Sequence, residues 1–356
     1  MNDEQYALLE EILSSPSPSG YEGAVRKIVK RELAKFCEEV SVDIMGNVIA
    51  KLKDNGGLKV LLDAHMDQIG LQVTHITKQG YLYFTNIGGV DAHMTAGQRV
   101  AIWSANDPVK GVIGRKPIHR LPADQRTKVT PLEKQFIDIG AKNREEAEKY
   151  IEIGDPVTFN NPPERLGVSK DFITAVGTDD RVGVFAIIQA MRILVNRPHQ
   201  ATVYATISTQ EELGLRGTGV AAYQVNPDVA LAVDVSHAVD YPGMSAIENY
   251  ADDHLGKGPI IFRGANMSPK VVELLRKVAK ENKIPYQPGS TPLAPTNAQR
   301  IQLSRQGVAT GALGIPNRYM HTPSEVVCLS DIENMSRLIT EFVAVLEPDT
   351  SFIPED

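Results

Sequence analysis

Val60-Leu61-Leu62-Asp63-Ala64-His65-Met66-Asp67 is the stretch on which the fold turns. Val60, Leu61 and Leu62 form a continuous apolar run, the pattern of a short strand buried on both faces. The run ends on His65 and Asp67, two groups that need polar company. In open α/β sheets, ligands gather beyond the carboxyl ends of the strands. A strand of this kind therefore carries its polar tail to the place where chemistry is done.

Working outward, Leu8, Leu9, Ile12 and Leu13 fall on one helical face before Ser14-Ser15-Pro16-Ser17-Pro18-Ser19-Gly20 breaks the pattern. Val25, Ile28, Val29, Leu33 and Phe36 predict a second amphipathic helix, and residues 47–52 and 59–64 read as strands. From residue 71 to about 163 the helical periodicity disappears. Leu71-Gln72-Val73-Thr74, Tyr81-Leu82-Tyr83-Phe84 and Gly111-Val112-Ile113-Gly114 are short strand-like pieces between turn signals, which predicts a small β-barrel or sandwich inserted into the main domain. One charged helical patch, 144–150, interrupts it.

From residue 171 the α/β rhythm returns, with helices at 182–195 and 268–282 and strands at 202–209, 229–233 and 308–315. Pro269 suits the first turn of its helix. The final helix starts at a capping-box pattern, Ser330-Asp331-Ile332-Glu333, and carries Leu338, Ile339, Phe342 and Leu346. Helices between apolar strands predict an α/β fold with a largely parallel sheet flanked by helices. The expected organisation is one domain in two segments, 1–70 and 166–356, around an inserted β domain at 71–165.

The 356 residues are too many for one small core. Apolar residues at 42% and charged residues at 23% are ordinary for a globular protein. With 44 acidic against 37 basic residues, a net charge of −7 argues against nucleic acid or an anionic membrane as the main partner. No segment approaches the roughly 18 apolar residues of a membrane span, and the first ten residues are too polar for a signal peptide. Cys37 and Cys328 lie far apart with no Cys or His at metal spacing, as expected of free thiols in a cytoplasmic protein.

Polar clusters lie at four predicted strand ends or in loops that reach them: His65-Met66-Asp67, Gln210-Glu211-Glu212, Asp234 with Ser236-His237, and His321-Thr322-Pro323. A fifth, Gly177-Thr178-Asp179-Asp180-Arg181, precedes a helix. Each has an ordinary explanation alone. His-x-Asp after a strand is also a hydrogen-bonded turn, Asp179-Asp180 is also a helix cap, and paired glutamates usually belong to a solvated loop. Asp234 is harder to dismiss, because a carboxylate closing an apolar strand needs partners or a cation. Together, two imidazoles and three carboxylates at one sheet edge match the mixed nitrogen and oxygen preference of zinc and related divalent metals. The doubled acids suit a two-metal hydrolase, in which one carboxylate bridges the ions and another stays unligated to take a proton from water.

The segments around these clusters, with Gln210-Glu211-Glu212-Leu213-Gly214-Leu215-Arg216-Gly217 and Arg318-Tyr319-Met320-His321-Thr322-Pro323-Ser324-Glu325 the most specific, resemble the tetrahedral (TET) and glutamyl aminopeptidases over nearly the whole chain. The resemblance implies a zinc-peptidase-like catalytic domain with two divalent ions, zinc or cobalt, sharing Asp179. One ion would also be held by His65 and Asp234 and the other by Glu212 and His321, with Glu211 as general base and Asp67 orienting His65. It also implies a cis Asp179–Asp180 peptide and a homo-oligomer, built as dimers through the inserted domain and extending to a hollow dodecamer. Gly256-Lys257-Gly258-Pro259 and the segment from Gly114 to His119 are further family-like pieces, His119 being read as near a neighbouring site or as structural.

One departure stands out. Family members commonly carry Gly-Thr-Asp-Ala where this chain has Pro295-Thr296-Asn297-Ala298, which puts substrate preference or activity there in question. The expected activity is removal of N-terminal residues from short peptides by a metal-bridging water activated by Glu211. The alternatives are a related deacylase and a catalytically silent metal-bound assembly protein.

Overall fold

The computed structural model describes residues 1–105, 107–247, 251–290 and 296–354. An eleven-stranded sheet forms the larger layer. Its centre is parallel and runs Thr202–Ser208, Lys59–His65, Val229–His237, Ala309–Arg318. These are the strands whose apolar runs are continuous, as burial on both faces requires. The flanks are antiparallel: Val48–Lys51 and Glu39–Val42 on one side, Glu325–Cys328, Phe172–Ala175 and Glu164–Arg165 on the other. Ile260–Arg263 and Gln287–Ser290 branch from Ala309–Arg318.

The helix Thr178–Leu194 packs on the parallel centre and is apolar almost all round, which makes it a core helix rather than a surface one. Asp3–Ser14 and Leu329–Ala344 pack against it. One hydrophobic core joins Leu8 through Met66 with Ile173 through Leu346, so the segments on either side of the insertion are packed as one body. Between them, Gly70–Ile76, Leu82–Ile87, Phe136–Asp138, Val109–Gly114, Arg99–Ile102 and Pro156–Phe159 close into an antiparallel six-stranded barrel with its own core, including Leu71, Leu82, Phe84, Ile113 and Phe159. Among the described residues no helix is long and apolar enough to cross a membrane. Cys37 and Cys328 are free thiols.

Several boundaries differ from expectation for physical reasons. The helix expected from residue 182 begins at Thr178, but Asp179 and Asp180 have non-helical backbone angles, so no helical periodicity could mark its first turn. The strand expected to stop at 233 continues to His237, because the neighbouring Ala309–Arg318 keeps pairing with it through Asn317. The capping box does not form. Cys328 stands at the N-cap without a side-chain bond, and Asp331 instead accepts the backbone N–H groups of Gly256 (2.7 Å) and Gly258 (2.8 Å). The helix Arg216–Val225 and the short flanking strands carried no signal strong enough to read, since Gly217 and Gly219 interrupt one and four-residue lengths limit the others.

Candidate metal centre

His65 closes its strand, in register with Ser208 on one side and adjacent to Val229–His237 on the other. Asp234 lies on the adjacent strand, opposite Gly314 of the next one. Asp179 enters from above on the turn before the core helix. There Gly177 takes φ +65°, and a Cβ would fall 2.3 Å from Gln68 Oε1, so only glycine fits. The Asp179–Asp180 peptide is cis, as the resemblance implied. Glu211 and Glu212 follow Thr202–Ser208 in a turn that opens at Gln210, φ +54°. His321 lies beyond Ala309–Arg318 in a loop where Tyr319 and His321 both take φ +62°.

The five expected ligands meet. His65 Nε2 is 3.1 Å from Asp179 Oδ1 and 3.8 Å from Asp234 Oδ1. His321 Nε2 is 3.3 Å from Asp179 Oδ2 and 3.3 Å from Glu212 Oε1. Each of the triads His65–Asp179–Asp234 and Asp179–Glu212–His321 has its ligand atoms within 4.8 Å of one another. The two oxygens of Asp179 are thus divided between the triads. Glu211 belongs to neither and points its Oε2 to within 4.0 Å of His65 Nε2.

The electrostatics are those of a site that needs cations. Burial, reinforced by Asp234, Asp179 and Glu212 and opposed by His65, pushes Glu211 up to about 9. Burial pulls His65 down, but Glu211, Asp179, Asp234 and Asp67 outweigh it, and the ring rises well above its ordinary value. Hydrogen bonds to Asp179 and Glu212 lift His321 to about 11. Burial raises Asp179, yet the two imidazoles hold it below the usual carboxylate range. Glu212 Oε1 is buried and faces only His321 Nε2, at 3.3 Å.

Two further carboxylates fix this geometry. His65 Nδ1 lies 3.0 Å from the Asp67 carbonyl oxygen, which can only accept, so Nδ1 donates there and Nε2 is the nitrogen turned toward Asp179 and Asp234. The Asp67 carboxylate meanwhile accepts the N–H of Glu211 (3.0 Å) and of Glu212 (3.1 Å). Glu325 does the same on the other side. Its Oε2 accepts Thr178 Oγ1 (2.8 Å) and Asp179 N–H (3.1 Å), and its Oε1 accepts His321 N–H (2.9 Å). Sequence reasoning quoted Glu325 in a motif but gave it no role. The available signal was a glutamate immediately before a buried Val326-Val327 pair. Arg181, fully buried, donates to the carbonyls of Ile12, Val176 and Gly177 and so ties the Asp179 turn to the first helix.

The inserted barrel reaches the site. A Cβ on Gly88 would stand 3.0 Å from Glu212 Oε2, and one on Gly89 2.7 Å from His321 Nδ1. Asn297 is buried beneath the cavity and donates to Asp63 Oδ1 (2.7 Å) and Ser208 Oγ (2.9 Å), while its neighbour Thr296 lines the cavity. Pro295 lies outside the described residues. His119 is exposed on the short turn Ile118–Arg120 of the barrel. His237 lines the cavity and is solvent-exposed.

A parallel-centred sheet whose strand ends gather two imidazoles and several carboxylates about one shared aspartate defines a class of metal-dependent hydrolases. The chain belongs to the M42 glutamyl aminopeptidase family, whose model matches residues 46–338. It is 37% identical to a lysyl aminopeptidase of Pyrococcus furiosus, over 96% of this chain and 98% of that one. The structure of a TET aminopeptidase from Thaumarchaeota archaeon SCGC AB-539-E09 superposes with a TM-score of 0.93 at 34% identity, covering 97% of each chain. The TET1 peptidase of Pyrococcus horikoshii, described as assembling into a tetrahedron or a large octahedral shell, superposes with a TM-score of 0.85 at 31% identity, covering 96% of this chain and all of that one. The protein is accordingly a metal-dependent aminopeptidase.

Proposed function

We infer that the active form carries two divalent ions, zinc or cobalt, with Asp179 between them, His65 and Asp234 completing one site and Glu212 and His321 the other. The division of the Asp179 oxygens between two imidazoles is the observation that supports this reading. The donor set fits: two neutral imidazoles and three carboxylates are the usual ligands of such ions, and the site is over-acidic without them. When bound, the ions polarise the scissile carbonyl and lower the pKa of water. The chain supplies the rest. Glu211, excluded from both triads, takes the proton of water and passes it to the leaving amine. Asp67 holds Glu211 and His65 in place through one backbone acceptor and one carboxylate. The cavity over the site, about 310 Å³, accommodates the end of a peptide rather than a folded chain, which favours short peptides as substrates.

A panel of aminoacyl-anilides, their N-acetylated counterparts and a soluble glucan, assayed with zinc and with cobalt, tests the reading. Only compounds with a free amino terminus should be cleaved. Preferential cleavage of the acetylated compounds would make the protein a deacylase. We further infer a cytoplasmic homo-oligomer assembled through the barrel, by analogy with the Pyrococcus horikoshii shell. Replacing residues 71–163 by a short linker should then lower the assembly size seen by light scattering, and an unchanged size would remove that role.

A further inference from the structure

The cavity has two unlike sides. One is the ligand set with Glu211. The other is formed by Val235, Ser236, His237, Phe262, Thr296 and Met320, and it carries no carboxylate, lysine or arginine among the described residues. We propose that this second wall seats the side chain of the N-terminal residue, and that the enzyme prefers neutral, apolar residues of leucine or methionine size. The proposal rests on the aminopeptidase reading above and narrows it to a substrate class.

The division of the cavity dictates the placement. The free amine is cationic and the scissile carbonyl must meet the metal ligands, so both belong on the acidic side. The side chain on the same α-carbon then has only the opposite wall to occupy. That wall is rigid. Phe262 lies in Ile260–Arg263, opposite Gly289 of Gln287–Ser290 and beside Gly314 of Ala309–Arg318. A Cβ on Gly289 would come within 2.7 Å of the ring and one on Gly314 within 2.9 Å, so the ring lies on a floor of two glycines that nothing larger could replace.

The polar groups nearby are already engaged. Ser236 Oγ donates to Asp253 at 2.5 Å, and Asp253 is fully buried behind it. Arg318, two residues before Met320, is held bidentately by Asp240 at 2.7 and 2.8 Å. Arg263 alternates away from Phe262 and lines a separate hollow with Glu273 and Arg276. Among the described residues His237 is the wall's only ionisable group, and it is solvent-exposed. A lysine or glutamate side chain entering here would lose water and gain no partner of opposite charge, whereas an aliphatic one gains contact with Phe262, Met320 and Val235. The family is named for glutamate and the Pyrococcus furiosus relative for lysine, so the family name alone does not fix the side-chain preference.

The test compares kcat/KM of the cobalt-loaded enzyme on leucyl-, methionyl-, alanyl-, lysyl- and glutamyl-anilides, with calorimetric titration of free leucine, lysine and glutamate as a readout independent of turnover. Leucyl and methionyl substrates should exceed lysyl and glutamyl ones by about 100-fold, and free leucine should bind where the charged amino acids do not. Phe262→Ala should lower the leucyl-to-alanyl ratio by roughly 10–200-fold. Met320→Glu, which leaves the Phe262 floor intact, should lower the leucyl-to-lysyl ratio. Charged substrates equal to or better than leucyl, or ratios unmoved in both variants, would overturn the proposal. Failure to cleave any anilide would overturn the aminopeptidase reading instead, and binding of free leucine without the charged amino acids would still support the wall.

Discussion

The two triads around Asp179 are built by different means. His65 and Asp234 sit on adjacent parallel strands, their side chains only 1% and 12% exposed, so the hydrogen-bond ladder itself sets their spacing. Glu212 and His321 come from a turn and a loop, and His321 is 36% exposed. No ladder reaches them. Their backbones are instead held by carboxylates, Asp67 on Glu212 N–H and Glu325 on His321 N–H, and the barrel glycines Gly88 and Gly89 approach so closely that a Cβ on either would meet those side chains. A ladder-held floor and a carboxylate-held rim thus share one aspartate. The floor should hold its ion more tightly, since loops open at lower free energy than core strands.

The largest effect belongs to the residue outside both triads. Glu211→Gln keeps shape and removes basicity, so kcat should fall by roughly 10²–10⁴-fold while both ions stay bound. Turnover and metal stoichiometry measured together check this; loss of metal in this variant would show Glu211 to be a ligand. Glu211 and Glu212 do not diverge as alternating residues of one strand would, since the strand ends at Ser208. They diverge in a turn after Gln210, with both N–H groups on one carboxylate.

Next comes the contrast itself. Dialysis of the loaded protein against a chelator should release its ions in two phases, the rim's first. Glu212→Gln should abolish the early phase, and excess metal should partly restore its activity. Asp234→Asn should slow neither loss and should speed the late phase. A single phase carrying both ions, unchanged in Glu212→Gln, would erase the distinction between floor and rim.

How much of this was legible follows the same division. The floor could be read because Val60-Leu61-Leu62 and the apolar run 229–233 announce buried strands, and the polar residue after each is exposed to notice by contrast. Asp179 was legible as a cluster but its conformation was not, since no periodicity encodes a cis, non-helical turn. The rim's supports were opaque because they act through backbone N–H groups. A glutamate that accepts three hydrogen bonds in the interior looks, in a string of letters, like a glutamate at the surface. Asn297 is the converse case, a departure plain in the sequence whose placement only the structure gives. Its side chain is buried against Asp63 and Ser208, so any effect on substrate preference or activity reaches the site through those two residues.

The smallest expected effect tests whether the rim depends on its carboxylate. Glu325 uses its oxygens on different partners, Oε2 on Thr178 and Asp179 and Oε1 on His321. Glu325→Gln fills the same volume but has one acceptor. If the amide oxygen keeps the Thr178 and Asp179 donors, the amide NH2 faces the His321 N–H and must turn from it, leaving a buried donor unpaired. The floor triad loses nothing directly, because Asp179 keeps its backbone bond and His65 is oriented by Asp67. Metal affinity at the rim should therefore fall by about 10–100-fold, the usual cost of removing a group that orients a ligand, with the floor ion retained. Circular dichroism should show an unchanged fold, and a metal titration followed by turnover should shift to higher concentration with its plateau recovered. A loss of both ions in parallel would mean that Glu325 supports Asp179 alone, and that the rim is held by the barrel instead.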